Sequence, residues 1–323
     1  MLSILVIYGV LNATAIELPG GPPVAMDFLA YDGANRRIWV PAGNTGSVDV
    51  VDTTAHKIVR LSGFPTIASP REGKPDMGPS SVAIGEKEVW IGNRGDNKLC
   101  SFDGRTLKRR KCVQLGSMPD GLAYVATTGE LWATTPREKS ITIVDVNGKP
   151  PAVLASIKLE GSPEGYAVDG MRGVFFTNLE DKDKTLAIDI RTHRVAETWS
   201  PGCGPEGPRG LAFDSARHFL FVACTNGVVT LDLGHDGRVV SRLKTGAGVD
   251  NLEYFPPRSL LYVASGKDAT LTIARVEDQG TLTAVVVLPT ADGARNPVVD
   301  ATGTAYVADS RDGKLIVIRA PAH

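Results

Sequence analysis

Apolar and polar residues alternate in short runs along most of the chain, and one longer unit of this pattern recurs. Each unit starts with a polar residue and a short apolar strand, and a turn then leads to a strand of aromatic and aliphatic residues. Asp120-Gly-Leu-Ala-Tyr followed by Leu131-Trp-Ala-Thr is an example. Alternation with a period of two is typical of half-buried β-strands.

Seven such units follow one another. Their first apolar positions are 53, 40, 44, 45, 41 and 46 residues apart, at Leu29, Val82, Leu122, Tyr166, Leu211, Leu252 and Val298. A period near forty with strand patterning indicates blades of four strands each. The sequence therefore predicts an all-β fold, a seven-bladed β-propeller of four-stranded antiparallel blades.

The last unit is one strand short. Its third strand, Lys314–Arg319, is followed by only four residues, whereas Thr14–Gly20 resembles Ala155–Gly161 at the end of an earlier fourth strand. Pairing the N-terminal strand with the last blade would remove two open sheet edges. We therefore expect the N-terminal strand to close the ring of a single propeller domain spanning residues 14–323.

Residues 1–15 also have features of a secretory signal peptide. They are apolar and end in Ala13-Thr14-Ala15, a small-x-small cleavage pattern, although no Lys or Arg precedes Arg36. This predicts a periplasmic or secreted protein, and the segment is too short to span a bilayer. Cleavage after Ala15 would remove half of the closing strand. Three alternatives follow: cleavage falls earlier, the seventh blade is partly completed, or the segment is not a signal peptide.

The overall charge excludes one class of partner. Lys and Arg number 35 against 36 Asp and Glu, which leaves a formal net charge of −1. Without a basic block, sequence-independent nucleic-acid binding is not expected. The short basic run Lys108–Lys111 is interpreted as the solvated edge of a hairpin. We expect a monomer that binds a small molecule or a protein partner.

Candidate ligand-binding residues stand at the start of each inner strand, where equivalent positions of a closed ring converge on the channel axis. These entry positions hold Asp27, Ser80, Asp120, Glu164, Arg209, Asp250 and Asn296, and we add Asn178 and Asn251 to the predicted ligand-binding residues of the same face. Asp27, Glu164 and Asp250 are candidate ligands for Ca²⁺, because clustered carboxylates repel unless a cation offsets them. In the alternative interpretation, the carboxylates bind backbone N–H groups of neighbouring blades.

Arg209 is the candidate catalytic residue, and it distinguishes two kinds of site. Beside a calcium ion it should turn away, whereas for an anionic or carbonyl ligand it should point into the pocket, held by Glu164 or Asp250. We favour the second arrangement, because a guanidinium next to Ca²⁺ costs Coulomb energy.

Other features of the sequence concern cross-links and loops. Cys100 and Cys112 are predicted to face each other across a hairpin, and Cys203 and Cys224 to join near the binding face. Asn93-Arg-Gly-Asp96 is interpreted as a tight turn rather than an adhesion motif. The insertion from Ser62 to Pro79 is expected on the binding face, where long loops are often functional.

The repeat resembles the YVTN type, in which a Tyr-Val-x-Asn strand end is followed by Val-x-Val-Ile-Asp. The resemblance covers nearly the whole chain, through Tyr262-Val-Ala-Ser, Tyr306-Val-Ala-Asp, Trp90-Ile-Gly-Asn, Val48-Asp-Val-Val-Asp52 and Ile141-Thr-Ile-Val-Asp145. It implies the propeller architecture and a superfamily of surface-layer proteins, periplasmic binding propellers and lactonases, so it does not by itself imply one function.

Two kinds of lactonase are similar at the site. Asp250-Asn251 resembles an element of six-bladed calcium-dependent gluconolactonases, although Arg209 stands where that family has Asn. Gly207-Pro-Arg209 is similar to an element of seven-bladed 6-phosphogluconolactonases, but Gly210 and Thr225 replace its His and Glu. The histidines fall in turns away from the binding face or at the terminus, so a streptogramin-lyase-like mechanism is not expected.

We therefore predict a non-catalytic YVTN-type propeller that binds a small ligand or protein partner on its channel-mouth face. The alternative is a lactonase-like hydrolase that uses Arg209 and, where present, Ca²⁺.

Overall fold

A computed structural model describes residues 13–319, and these form seven four-stranded antiparallel sheets. In every sheet, consecutive strands are hydrogen-bonded neighbours, apart from the N-terminal strand in the last one. The seven-bladed β-propeller predicted from the repeat is confirmed. Residues 1–12, which hold most of the predicted signal peptide, lie outside the described residues.

The strands of the first four blades run in chain order from the channel outward. Blade 1 holds β2 (Ala30–Asp32), β3 (Arg37–Ala42), β4 (Ser47–Asp52) and β5 (Ile58–Ser62). Blade 2 holds β6 (Pro79–Ile84), β7 (Glu88–Asn93), β8 (Lys98–Asp103) and β9 (Arg109–Gln114). Blade 3 holds β10 (Leu122–Val125), β11 (Glu130–Thr135), β12 (Ser140–Asp145) and β13 (Ala152–Lys158). Blade 4 holds β14 (Pro163–Asp169), β15 (Val174–Leu179), β16 (Lys184–Asp189) and β17 (Arg194–Trp199).

The last three blades continue the pattern. Blade 5 holds β18 (Pro208–Asp214), β19 (Phe219–Cys224), β20 (Gly227–Asp232) and β21 (Arg238–Lys244). Blade 6 holds β22 (Val249–Phe255), β23 (Leu260–Ser265), β24 (Thr270–Val276) and β25 (Leu282–Pro289). Blade 7 holds β26 (Arg295–Val299), β27 (Thr304–Asp309), β28 (Lys314–Arg319) and the N-terminal β1 (Thr14–Glu17). Short 3₁₀ turns cover Gly43–Thr45, Pro136–Glu138, Leu233–His235 and Pro256–Arg258.

The ring closes as predicted. Strand β1 pairs antiparallel with β28, with Thr14 opposite Val317 and Glu17 opposite Lys314. Ile16 is buried at 6% exposure against the core of the last blade. The N-terminal strand therefore supplies both the missing backbone partner and part of the apolar core.

The hydrophobic core lies between neighbouring blades. At the aromatic position of the repeat, every second strand has a side chain that is at most 2% exposed, namely Trp39, Trp90, Trp132, Phe176, Phe221, Tyr262 and Tyr306. Burying a large apolar side chain stabilises a fold by roughly 1.5–3 kcal/mol. The aromatic position of the repeat is thus the main packing contact between sheets.

Both predicted disulfides are present. Cys100 and Cys112 are direct partners on β8 and β9 with 4.1 Å between their Cα atoms, and Cys203 and Cys224 are separated by 5.1 Å. No helix among residues 13–319 is long and apolar enough to cross a membrane.

Many aspartates on the side of the ring opposite the channel mouth only stabilise turns. Asp189, for example, accepts a hydrogen bond from the backbone N–H of Thr192 at 2.6 Å, and such bonds lower its pKa. Asp103 accepts one from Thr106 in the same way at 2.7 Å. These carboxylates are part of the fold and are not candidate site residues.

Candidate functional site

The entry positions converge because the inner strands approach one another closely at the axis. Glycine follows the entry residue in blades 4 and 5. A Cβ atom added to Gly165 would overlap the backbone of Gly210, and one added to Gly210 would overlap Asn251. Only glycine allows this approach, which brings Glu164, Arg209 and Asp250 around one channel mouth.

Arg94 is the first site residue that the sequence reasoning missed. It lies in the turn after β7 of blade 2, where the entry position is the small Ser80. Its guanidinium contacts Asp27 of blade 1 at 2.8 Å and also pairs with Asp120 of blade 3. Arg94 therefore bridges two predicted site residues across the blade that carries it.

Contacts within the protein fix the Arg-Gly-Asp turn that carries Arg94. Asp96 accepts a hydrogen bond from Asn93 Nδ2 at 2.8 Å, which fixes the tight turn expected from the sequence. The inserted loop covers the turn, because Pro65 accepts a bond from Asn93 Nδ2 at 3.1 Å and a Cβ atom on Gly95 would overlap the Pro65 carbonyl. The insertion thus holds Arg94 in place on the mouth face.

Arg209 pairs with a residue that was not predicted. Its guanidinium contacts the carboxylate of Glu180, from the turn after β15, instead of Glu164 or Asp250. Asn178, a predicted ligand-binding residue, is fully buried and donates to the backbone carbonyl of Arg209 at 2.6 Å. Asn178 therefore supports the backbone of Arg209.

A third arginine completes the pattern. Arg295, directly before the entry position of blade 7, lies 3.2 Å from Asp250. Asn296 adopts a positive φ of 55°, which Asn tolerates better than most residues. Its side chain donates to the backbone carbonyl of Asp27 at 3.3 Å and accepts from the backbone N–H of Asn251 at 3.3 Å. Asn296 thereby joins blades 6, 7 and 1 at the mouth.

Glu164 differs from the other carboxylates of the mouth because none of the arginines there pairs with it. Burial, followed by the negative charges of Asp250, Asp27 and Glu180, raises its pKa well above the usual value, and Arg209 opposes the shift only in part. Asp250 also has a raised pKa, mainly from burial. The surroundings of Glu164 therefore favour its protonated form.

Glu253, on the inner strand β22 beside the channel, is a second carboxyl that has no ion-pair partner among residues 13–319. It stands where five of the other six blades have alanine, at Ala30, Ala83, Ala123, Ala167 and Ala212. Burial raises its pKa to about 8. The rings of Phe28 and Tyr166, from blades 1 and 4, lie nearby with centroids 5.6 Å apart, and the charge of Glu253 contributes to the raised pKa of Tyr166.

The arrangement does not fit the calcium site considered from the sequence. Asp27 and Asp250 are each paired with an arginine, which places positive charge where a second cation would have to bind. Among residues 13–319, no three His, Cys, Asp or Glu side chains form a group that could hold a metal ion.

The backbone-binding alternative also differs from the structure. Within the described part of the chain, the recorded partners of the Asp27, Asp120 and Asp250 carboxylates are arginine and asparagine side chains, and none is a backbone N–H. The mouth carboxylates are therefore used differently from those in the turns of the opposite face.

Comparison with known proteins shows the fold. No protein-family model matches the chain. No curated protein matches it by sequence. A chain in the crystal structure of the mitotic checkpoint complex superposes with a TM-score of 0.77 at 14% identity, over 100% of this chain and 97% of that one.

Two enzymes have a similar architecture. Kuenenia stuttgartiensis hydrazine synthase gives a TM-score of 0.76 at 15% identity, covering 98% of this chain and 100% of that chain. A streptogramin B lyase gives 0.76 at 11% identity, over 96% and 97%. Because all three identities are low and the proteins differ in function, the comparisons establish the seven-bladed propeller fold. They do not indicate an activity, which has to be inferred from the site.

Proposed function

We propose that this chain is a YVTN-type propeller that binds a small ligand at its channel mouth and performs no chemistry on it. The mouth is a concave surface on a rigid ring, the usual place for a ligand on such a scaffold. The two disulfides are compatible with an oxidising compartment, which supports a periplasmic or secreted location. We expect the protein to act there as a monomer.

The observation that carries the proposal is the charge balance of the mouth. Five carboxylates face three guanidinium groups, and every guanidinium is already paired: Arg94 with Asp27 and Asp120, Arg209 with Glu180, and Arg295 with Asp250. Glu164 is left without an arginine. An anionic ligand would have to displace a carboxylate from its arginine, whereas a cation has an available partner.

The ligand that fits best therefore carries an organic cation, such as an amine or a guanidine. Glu164 would ionise when the cation binds, because an opposite charge nearby favours the charged form of a carboxyl. The aromatic rings of Phe28 and Tyr166 offer a further apolar and π surface beneath the mouth. This replaces the anionic ligand that the sequence favoured for Arg209.

Calorimetry tests the proposal. Ethanolamine, choline and agmatine would be titrated into the protein at pH 7 and compared with succinate and calcium chloride. Repeating the titration in phosphate and in HEPES reports protons released, since the two buffers differ in ionisation enthalpy and neither is a primary amine. We expect an amine to bind with release of up to about one proton, as Glu164 ionises.

Two variants sharpen the result. Glu164→Gln should abolish the proton release and lower the affinity for the amine by at least about tenfold, equivalent to ~1.4 kcal/mol. Glu206→Gln changes an exposed carboxylate of a neighbouring loop and should leave binding unchanged. Binding of succinate with no response to any amine would contradict the proposal.

The raised pKa of Glu164 favours one second candidate, a lactonase-like hydrolase. A carboxyl whose surroundings favour the protonated form could donate a proton to a leaving oxygen, and Arg209 could polarise a carbonyl. Turnover of gluconolactone by the wild type, with loss in Glu164→Gln and a matching shift of the pH profile, would favour this activity. A hydrolysis rate no higher with the protein than without it would exclude this activity toward gluconolactone.

A further inference from the structure

The outer hairpin of blade 2 has a feature that the proposed ligand site does not use. The Cys100–Cys112 disulfide links β8 to β9 beside the basic run Lys108–Lys111. Arg109 Nη2 lies 2.9 Å from Cys100 Sγ and 3.0 Å from Cys112 Sγ. One guanidinium therefore contacts both sulfur atoms.

Two other cations of the run have partners elsewhere. Arg110 pairs with Asp103 at 2.6 Å, and Lys111 donates to the Val146 carbonyl at 2.6 Å. Among the described residues, no carboxylate forms an ion pair with Arg109. Its charge is thus directed at the disulfide without a competing anion.

Access to the two sulfur atoms is unequal. Cys112 is partly exposed, whereas Cys100 is buried at 2% exposure. An external thiolate would reach Cys112 first, and Cys100 would be the leaving group. A nearby guanidinium stabilises a leaving thiolate and attracts an attacking one, and both effects speed thiol–disulfide exchange.

The second disulfide provides a contrast within the same molecule. Cys224 is buried at 5% exposure, and the backbone N–H of Cys203 donates to the carboxylate of Asp183 at 2.9 Å. A carboxylate next to a cysteine disfavours the thiolate form. Cys203 is partly exposed, as Cys112 is, so the two disulfides differ in the charge beside them: a carboxylate at Cys203–Cys224 and a guanidinium at Cys100–Cys112.

We propose that Cys100–Cys112 is a site of reversible thiol–disulfide exchange with an external thiol. The external thiolate attacks Cys112 Sγ, the Cys100–Cys112 bond breaks, and Cys100 leaves as a thiolate beside Arg109. A second external thiol then attacks the mixed disulfide and releases Cys112. Two external thiols become one disulfide, and their two electrons and two protons end on Cys100 and Cys112.

The experiment measures the rate at which each of the two disulfides is reduced in the folded protein. The full chain is treated with dithiothreitol at pH 7, samples are quenched with acid and alkylated, and peptide mass spectrometry follows each cysteine. We expect Cys100–Cys112 to be reduced at least about tenfold faster than Cys203–Cys224. Faster reduction of Cys203–Cys224, or equal rates, would overturn the proposal.

Variants separate the charge of Arg109 from a structural effect. Arg109→Gln should slow reduction of Cys100–Cys112 several-fold, Arg109→Lys should restore part of the rate, and Arg110→Gln should leave it unchanged. The wild type should also react faster with anionic mercaptoethanesulfonate than with cationic cysteamine at equal thiolate concentration, and Arg109→Gln should reduce this preference. A preference that is undiminished in Arg109→Gln would refute the role of the guanidinium.

Discussion

Replacing Glu253 with glutamine should stabilise the protein at alkaline pH. Glu253 takes the place of an alanine in the repeat, lies in the channel, and forms no recorded ion pair or hydrogen bond within the described residues. Burial raises its pKa to about 8 from an ordinary value of 4.5. The folded protein therefore holds a proton there that the unfolded chain loses above pH 4.5.

The magnitude follows from the pKa difference. Below pH 4.5 the carboxyl is protonated in both states, so it adds no penalty. Between pH 4.5 and about 8 the unfolded chain releases its proton and the folded chain does not, so stability falls as pH rises. At ~1.4 kcal/mol per pKa unit the full loss is about 4–5 kcal/mol, and partial solvent access from the channel lowers this to roughly 2–4 kcal/mol.

Chemical denaturation at pH 4.5, 6 and 8 would measure the effect. Glu253→Gln should unfold at a higher denaturant concentration than the wild type at pH 8, and the difference should shrink toward pH 4.5. The exposed Glu206→Gln variant is the control and should show no such trend. A Glu253→Gln variant no more stable than the wild type at pH 8 would refute the assignment of Glu253 as a desolvated, unpaired carboxyl.

Three shorter predictions follow from other contacts. Removing residues through Pro19 deletes β1 and exposes the edge of β28, and calorimetry should show a melting temperature lower by several degrees. Gly95→Ala would force the Arg-Gly-Asp turn away from Pro65, so it should lower the melting temperature and weaken amine binding together. Arg209→Gln removes a positive charge that lowers the pKa of Glu164. In urea titrations, the variant should therefore lose more stability relative to the wild type at pH 8 than at pH 5.

The fold was predictable because its determinants repeat. One aromatic position on each second strand and a polar residue at each entry position recur seven times, and the incomplete last unit has its match at the N-terminus. Trp39 and Tyr306 are buried in equivalent places at opposite ends of the chain. The same regularity located the Cys100–Cys112 disulfide, because these two cysteines fall at equal distances from one turn.

The ion pairs of the site were not predictable from equivalent positions. Arg94 and Glu180 come from turns after second strands, and Arg295 precedes its entry position by one residue, so none of the three stands at an entry position of the repeat. Arg209 therefore pairs with Glu180 and not with the predicted Glu164 or Asp250. Which charged side chains meet at an axis depends on side-chain length and turn geometry, and the repeat determines neither.

A different signal in the sequence pointed to the channel. A closed ring of identical blades would place the same side chain seven times around the axis, and such a symmetric surface would recognise little. Selectivity must then come from positions that depart from the repeat. Glu253 replaces alanine, Tyr166 replaces a smaller apolar residue, and Ser80 leaves the space that Arg94 fills. These departures coincide with the unpaired carboxyl, the aromatic contact and the bridging arginine of the structure. The ligand selectivity that we propose for the mouth would therefore depend on Glu253, Tyr166 and Arg94, which depart from the repeat or fill the space that a departure leaves.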